Sequence, residues 1–359
     1  MLKTRVLVFL VVLSAVTAAA CTPVPAPGDD PTPASTPAPT LTLDHVVSMG
    51  DSYSSGEGLA PYGWNSNAAN NRCHRSPRAY GPLLAAAGGA RDFSFVACSG
   101  ALTDDLFSPN YRGFVDAETG ATEGPQLDVL SDTTRLVTLT IGGNDVGLAD
   151  LLPDCLVALV GVLPVYGNPA CAFDPSVSAV ATTRLRALAG QGVGTTPQGI
   201  PIHSIRSVID AVHERAPGAR ILIAGYPQLV GNLGALNECG VGGVTVSNVP
   251  VFSTANADLI LTGLNALFIN QIGAHLNDII RHAATTAAEG GIPVSYVDPT
   301  TTFDGHGQCD RFTPWIDGVS GTVDAATVKV RIDRESFHPT ATGQKSGYKF
   351  AFLAALATP

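Results

Sequence analysis

VVSMGDSYSSGEG, residues 46–58, is an apolar run that passes directly into Gly50, Asp51 and Ser52. A continuous apolar run of this length is typical of a strand that is covered on both faces of a sheet. The glycine allows the backbone to turn sharply where the strand ends. Ser52 is therefore either an ordinary turn residue or a nucleophile that the strand presents at the edge of the sheet.

Similar apolar runs recur along the chain and alternate with helical patterns. The predicted strands are His45–Met49, Phe93–Cys98, Leu136–Ile141, Ile221–Ala224 and Val294–Val297. The predicted helices are Arg78–Ala87, His203–Arg215, Asp258–Ala287 and Thr340–Leu356. Strand alternating with helix over this length predicts an α/β fold, a three-layer α/β/α sandwich around a mostly parallel central sheet of about five strands.

Two stretches fit neither pattern. Leu151–Thr196 and Asn232–Thr254 are rich in glycine and proline, and each contains cysteines. We expect both to be irregular loops that flank a cleft.

The N-terminus has the layout of an export signal. Lys3 and Arg5 precede an apolar run that ends in small residues, and Cys21 follows at once. A cysteine at this point resembles the lipobox of bacterial lipoproteins, whose cysteine receives the lipid. Ala18 and Ala20 would equally serve an ordinary A-x-A cleavage, so the alternatives are a cell-surface lipoprotein of a bacterial membrane and a freely secreted protein.

Composition sets the boundaries of the folded part. Residues 21–42 are mostly proline, threonine and alanine and offer little apolar surface to bury, which predicts a disordered tether. We therefore expect a signal peptide at 1–20, a tether beginning with a lipidated Cys21 at 21–42, and one folded domain at 43–359. The formal net charge is -10 and no basic run is present, so nucleic acid is not an expected partner.

Cysteine usage agrees with export. Besides Cys21, six cysteines are expected to form three disulfides, and these are Cys73, Cys98, Cys155, Cys171, Cys239 and Cys309. Pairing of neighbours in sequence order is the simplest arrangement, but the sequence leaves the other pairings open.

In an open parallel sheet the ligand site lies beyond the carboxyl ends of the strands. Residues that could take part in catalysis or binding follow the predicted strands at these points. They are Gly50-Asp51-Ser52, Ser99-Gly100, Gly142-Gly143-Asn144-Asp145 and, after the last strand and a long loop, Glu335-Ser336-Phe337-His338-Pro339.

Together these blocks resemble those of the SGNH hydrolases, also called the GDSL esterase and lipase family, and in particular its secreted actinobacterial members. The resemblance covers about residues 44 to 357. It rests on six phrases that occur in the family's order: GDSYSSGEG, ACSGA, TIGGNDVG, FDGHGQC, PWIDG and SFHPTATGQ. The resemblance implies a flavodoxin-like sandwich and an esterase or lipase activity.

The resemblance also implies roles for individual residues. Ser52 would be the nucleophile and His338 the general base, because a serine hydroxyl attacks a carbonyl only when a base removes its proton. The backbone N–H groups of Ser52 and Gly100 and the side-chain amide of Asn144 would form the oxyanion hole. Glu335 stands where the family often has aspartate, so we expect it to orient His338; a backbone carbonyl is the alternative.

Other polar residues in these blocks have structural explanations. Asp51 and Asp145 lie in turns where aspartate caps backbone N–H groups, and no compact metal-ligand spacing occurs, so no metal or cofactor is expected. His306 is near Cys309, which we assign to a disulfide. We expect the remaining histidines to be structural or surface residues: His45, His74, His203, His213, His275 and His282.

The sequence thus predicts an exported, monomeric serine esterase or lipase that acts on an ester or lipid substrate. Alternatives that use the same residues are a phospholipase and an O-acyltransferase or deacetylase of cell-envelope glycans. A binding lipoprotein without catalytic activity is the alternative from a different class. Because the base must be neutral, activity should fall in acid, around the ordinary histidine pKa of about 6.5 unless Glu335 raises it.

Overall fold

The computed structural model describes residues 43–68, 71–109, 123–148, 155–160, 163–167, 171–234, 237–249, 252–324 and 329–358. All of them belong to one unit, Leu41–Pro359. The predicted signal peptide, Cys21 and the tether lie outside the described residues.

A five-stranded parallel sheet forms the centre of this unit, as the sequence predicted. Its strands are β1 (Val46–Gly50), β2 (Phe93–Phe95), β3 (Leu136–Thr140), β6 (Arg220–Ala224) and β9 (Val294–Val297). They lie in the order β2-β1-β3-β6-β9, and every neighbouring pair is parallel. Every residue of β1 and β3 is buried because both faces of the sheet are covered, which explains why their sequences, VVSMG and LVTLT, are mainly apolar and contain no charged residue.

Helices alternate with these strands. They are α1 (Ser52–Ser55), α2 (Tyr80–Ala87), α3 (Gly143–Val146), α4 (Pro175–Leu188), α5 (Ile205–Arg215), α6 (Gly263–Glu289) and, after a π-helical segment at Gly343–Tyr348, α7 (Lys349–Ala357). The long helix α6 begins five residues later than its apolar periodicity predicted. Thr262 caps it, accepting a hydrogen bond from the backbone N–H of Asn265 at 3.3 Å, and the residues before Thr262 belong to a strand.

A second sheet includes parts of both stretches in which the sequence predicted loops, together with strands from later in the chain. It consists of β4 (Val157–Val160), β5 (Leu163–Gly167), β7 (Glu238–Val249), β8 (Phe252–Thr262), β10 (Val319–Asp324) and β11 (Lys329–Ile332), in the order β11-β10-β7-β8-β4-β5. Its neighbours are antiparallel except for β10 and β7. The prediction of irregular loops was therefore wrong for much of both stretches. The glycines in β7 are unfavourable in a strand, so the sequence did not indicate one. The strand is stabilised by pairing with β8 and with β10, which is distant in the chain.

The disulfides follow the neighbour order: Cys73 with Cys98, Cys155 with Cys171, and Cys239 with Cys309. The third bridge ties β7 of the second sheet to the segment that follows β9 of the first. In the part of the chain that the structure describes, no helix combines the length and the apolar character needed to cross a bilayer.

Candidate active site

Ser52 lies at the carboxyl end of β1, where the strand passes into α1. Gly50 has a positive φ of 112°, and a side chain at this position would overlap the carbonyl oxygen of Thr140 on the adjacent strand. The side chain of Gln126 accepts from the backbone N–H of Gly50 and donates to its carbonyl. The close packing against Thr140 and the two hydrogen bonds with Gln126 thus fix the backbone of Gly50, from which the turn to Ser52 begins.

Asp51 anchors this turn. Its buried carboxylate accepts hydrogen bonds from the backbone N–H of Tyr53 at 3.0 Å, from the hydroxyl of Thr140 at 2.6 Å, and from the hydroxyl of Tyr226. Burial raises the pKa of Asp51 to about 6 in spite of these donors. The sequence predicted a capping role for Asp51, and the contacts agree: the carboxylate fixes the first turn of α1 and holds it against β3.

His338 meets Ser52 directly. Its Nε2 atom lies 2.7 Å from the Oγ of Ser52. The imidazole packs against the ring of Tyr53, with 5.2 Å between the ring centroids, and the Tyr53 hydroxyl donates to the carbonyl of Phe337 at 2.6 Å. Burial lowers the pKa of His338, although the negative charge of Glu57 and hydrogen bonding to Ser336 oppose this effect.

The partner of the other ring nitrogen is a backbone group. His338 Nδ1 lies 3.1 Å from the carbonyl oxygen of Ser336. A carbonyl can only accept a hydrogen bond, so Nδ1 carries the proton and Nε2 keeps a lone pair directed at the Ser52 hydroxyl. This is the tautomer that a general base requires.

Glu335 does not take the place that the sequence assigned to it. Its side chain is exposed, and the Ser336 carbonyl occupies the position of an orienting carboxylate. The reason is a tight turn closed by a hydrogen bond from His338 N–H to the Glu335 carbonyl at 3.0 Å, with Phe337 at a positive φ of 58°. A positive φ at the third residue of a turn reverses the central peptide, and in this turn that peptide carries the Ser336 carbonyl.

Gly100 and Asn144 lie beside this pair. Gly100 has a positive φ of 78° in the loop after β2, and Asn144 lies in α3, directly after β3. The Asn144 side chain donates to the carbonyl of Ala101 at 3.0 Å, which joins the two loops and orients the amide. Asp145 fixes the same junction from behind, because its buried carboxylate accepts from the N–H and hydroxyl of Thr103. Burial raises the pKa of Asp145 to about 7.

A cavity of about 400 Å³ opens in front of these residues. Ser52, Gly100, Asn144 and His338 all line it. Its apolar wall consists of Leu102, Leu148, Leu156, Leu229, Val319 and Ile332, of which the last two come from the second sheet. The second sheet, which the sequence did not reveal, therefore contributes to the surface that an acyl group would contact.

One buried hydrogen-bonded pair near the site was missed by the sequence analysis. Glu57 is only 2% exposed, and its carboxylate accepts from His74 Nδ1 at 2.8 Å. His74 was assigned to the surface or to a structural role because nothing in its neighbourhood marks it. The available signal was Glu57, a charged residue five positions after Ser52 within the phrase GDSYSSGEG, which could have indicated a carboxylate near the site.

Among the described residues, no group of three or more histidine, cysteine, aspartate or glutamate side chains could hold a metal ion. His306 Nδ1 is instead 2.8 Å from the Thr313 carbonyl, and its ring stacks on Trp315.

A parallel α/β sandwich with a serine and a histidine in hydrogen-bond contact beside an apolar cavity is an arrangement typical of hydrolases. A family model described as GDSL-like lipase/acylhydrolase matches residues 48–345. The chain therefore belongs to the GDSL-like lipase and acylhydrolase family, and it is a carboxylic ester hydrolase.

Individual relatives agree with this assignment. The chain is 30% identical over 311 residues to a lipase of Streptomyces rimosus, a match that covers 87% of this chain and 86% of the relative. A phospholipase A1 from Streptomyces albidoflavus has a similar structure, with a TM-score of 0.60 and 29% identity over 87% of this chain and 99% of that one. An extracellular lipase from Streptomyces rimosus superposes with a TM-score of 0.58 and 31% identity, over 88% of this chain and 100% of the other. The predicted family and fold are confirmed.

Proposed function

We propose that the protein is an exported serine esterase or lipase that uses a dyad of Ser52 and His338. The observation that carries this proposal is the 2.7 Å separation between His338 Nε2 and Ser52 Oγ, with the opposite ring nitrogen bound to a carbonyl. The ring is thereby held in the tautomer that can accept the hydroxyl proton.

The reaction then proceeds in two halves. Ser52 Oγ attacks the acyl carbon while its proton passes to His338 Nε2, and the imidazolium returns this proton to the leaving alcohol. Water, deprotonated by the same nitrogen, attacks the acyl-enzyme, and the carboxylic acid departs as Ser52 regains its proton. In both halves the oxyanion would be bound by the N–H groups of Ser52 and Gly100 and by the amide of Asn144.

The apolar wall of the cavity supports a substrate with an aliphatic acyl chain. A volume of about 400 Å³ lies within the range of pockets that enclose small molecules. Since each methylene that is buried contributes about 0.8 kcal/mol, the rate at low substrate concentration should rise with chain length until the cavity is filled.

Phospholipid is a second candidate substrate. The structural relative named phospholipase A1 supports it, and so does the position of Arg334 beside the catalytic cavity, where a guanidinium could meet a phosphate. Export is supported by the three disulfides and by the relative that is described as extracellular.

The test is hydrolysis of p-nitrophenyl esters of graded chain length by the wild type, Ser52→Ala and His338→Ala, with a diacyl phospholipid assayed in parallel. We expect both variants to lose activity by a factor on the order of a thousand or more. Equal rates from wild type and Ser52→Ala would exclude the proposed mechanism, and the ratio of phospholipid to simple-ester rates would decide between the two substrate classes.

A further inference from the structure

A buried carboxylate lies between the two segments that carry Ser52 and His338. The backbone N–H of Glu57 donates to the Ser52 carbonyl at 3.1 Å, which places Glu57 at the end of the turn that begins with the nucleophile. The next residue, Gly58, packs so closely on the turn before His338 that a side chain at 58 would lie 2.9 Å from the Cβ of Glu335. Glu57 and Gly58 together therefore contact the segment that carries Ser52 and the turn that precedes His338.

The carboxylate is held there by a set of donors. His74 Nδ1 donates to it at 2.8 Å, and the Gly58 N–H and the Tyr62 hydroxyl donate at 3.2 Å. Tyr62 stacks on the His74 ring with 4.3 Å between centroids, which fixes the orientation of the imidazole. His74 itself follows Cys73, whose disulfide with Cys98 secures this loop. Such a set of contacts permits little movement of the carboxylate.

These surroundings keep Glu57 ionised. Burial alone would raise the pKa of Glu57, but the hydrogen bond from His74 and the nearby imidazoles outweigh burial and hold the pKa at about 2. An ionised carboxylate with little exposure acts on its neighbours with little screening by water.

A negative charge near His338 would stabilise the imidazolium that forms during the reaction. When Ser52 attacks, His338 becomes an imidazolium in a buried setting, and the Ser336 carbonyl on Nδ1 offers only a dipole to balance it. The charges of Glu57 and, to a smaller extent, Glu335 raise the pKa of His338, and the Arg334 guanidinium, which lines the same cavity, interacts with Glu57. Glu335 is exposed, so solvent screens it, whereas Glu57 is buried.

We propose that Glu57 is a positioning residue that stabilises the imidazolium of His338 during attack by Ser52, in place of the carboxylate of a catalytic triad. This inference rests on the proposed function of the dyad. A purely structural role, in which Glu57 only holds the His74 loop in place, is the alternative that the experiment must separate.

The experiment is Glu57→Gln, which keeps the size of the side chain and removes its charge, compared with Glu335→Gln as the matched removal of an exposed carboxylate. We expect kcat to fall about tenfold with little change in KM. The acid limb of the pH profile should move to lower pH, because Glu57 raises the pKa of His338 and its loss lets that pKa fall further. Glu335→Gln should leave kcat and the position of the acid limb nearly unchanged.

A second measurement does not depend on activity. NMR titration of His338 in the Ser52→Ala background, with and without Glu57→Gln, should show a lower His338 pKa when the charge is absent. If Glu57→Gln does not fold, the double variant Glu57→Gln with His74→Gln removes the charge together with the group that requires it.

The outcomes are distinct. A loss of kcat with an unmoved acid limb and an unmoved His338 titration would assign Glu57 a structural role only and overturn the inference. A wild type without Ser52-dependent hydrolysis would instead refute the proposed function, while the titration would still decide whether Glu57 acts on His338.

Discussion

The imidazole of His338 contacts the hydroxyl of Ser52 at 2.7 Å, although 286 positions separate the two residues in the chain. The contact depends on two short backbone features. Gly50 ends β1 and turns the chain so that Ser52 begins α1, and the turn from Glu335 to His338 directs the ring back toward it. Tyr53, which follows Ser52, joins the two segments: its ring packs against His338 and its hydroxyl donates to the Phe337 carbonyl.

Glu335→Gln tests which group orients His338. Because the Ser336 carbonyl occupies Nδ1, we expect this substitution to reduce kcat by less than about threefold, whereas loss of a true triad carboxylate costs on the order of 10⁴. The measurement is kcat on a p-nitrophenyl ester, with Ser52→Ala as the inactive reference. A loss of several orders of magnitude would mean that Glu335 reaches the ring during catalysis.

The pH profile tests the environment of the base. Burial lowers the pKa of His338, and a lower pKa means that the ring stays neutral to lower pH. The acid limb of kcat/KM should therefore lie below the ordinary histidine value of about 6.5. Steady-state rates from about pH 4 to 9 would locate it, with the thermal unfolding of Ser52→Ala followed over the same range to exclude acid denaturation. An acid limb at or above 6.5 would contradict the burial argument.

Asn144→Ala tests the proposed oxyanion hole. Removal of one preorganised donor typically lowers kcat by about 10² to 10³ while substrate binding changes little. The comparison variant is Gln198→Ala, which alters another polar residue that lines the cavity without touching the proposed donors. If both variants changed KM and neither changed kcat, Asn144 would belong to the binding surface and not to the site of charge development.

The sequence predicted those parts of the molecule that carry local signals. Each strand of the central sheet is mainly apolar, and the residues after the strands lie at one edge because the strands are parallel. The second sheet lacked such a signal, since β7 contains several glycines and its partner β10 is far away in the chain.

The errors within the candidate site have related causes. The orienting group of His338 is a backbone carbonyl. Every residue has such a carbonyl, so no residue type in the sequence indicates it, and the carboxylate of Glu335 was predicted in its place. The pairing of Glu57 with His74 depends on a loop between them, and neither residue is unusual by itself. Sequence patterns located the side chains that follow strands. The groups that orient those side chains and act on them electrostatically, such as the Ser336 carbonyl and Glu57, are brought to the site by tertiary contacts.

The disulfide between Cys73 and Cys98 is expected to affect both stability and catalysis. Cys98 lies two residues before Gly100, its N–H donates to the Gly50 carbonyl at 2.9 Å, and the Ser99 N–H donates to the Cys73 carbonyl at 3.0 Å. Replacing both cysteines with alanine should reduce the free energy of unfolding by about 3 kcal/mol, and it should also lower kcat because the Gly100 loop loses its anchor.

The matched control for that variant is the double alanine variant of Cys239 and Cys309, which opens a longer loop of 70 residues. Chain entropy predicts a larger loss of stability for this control, about 4 kcal/mol, but neither Cys239 nor Cys309 lies within two residues of one that lines the cavity, whereas Cys98 precedes Gly100 by two. Denaturant unfolding and kcat measured on both variants should therefore rank them in opposite orders. If the two variants lost kcat in proportion to their loss of stability, the Cys73 bridge would have no specific role in positioning Gly100.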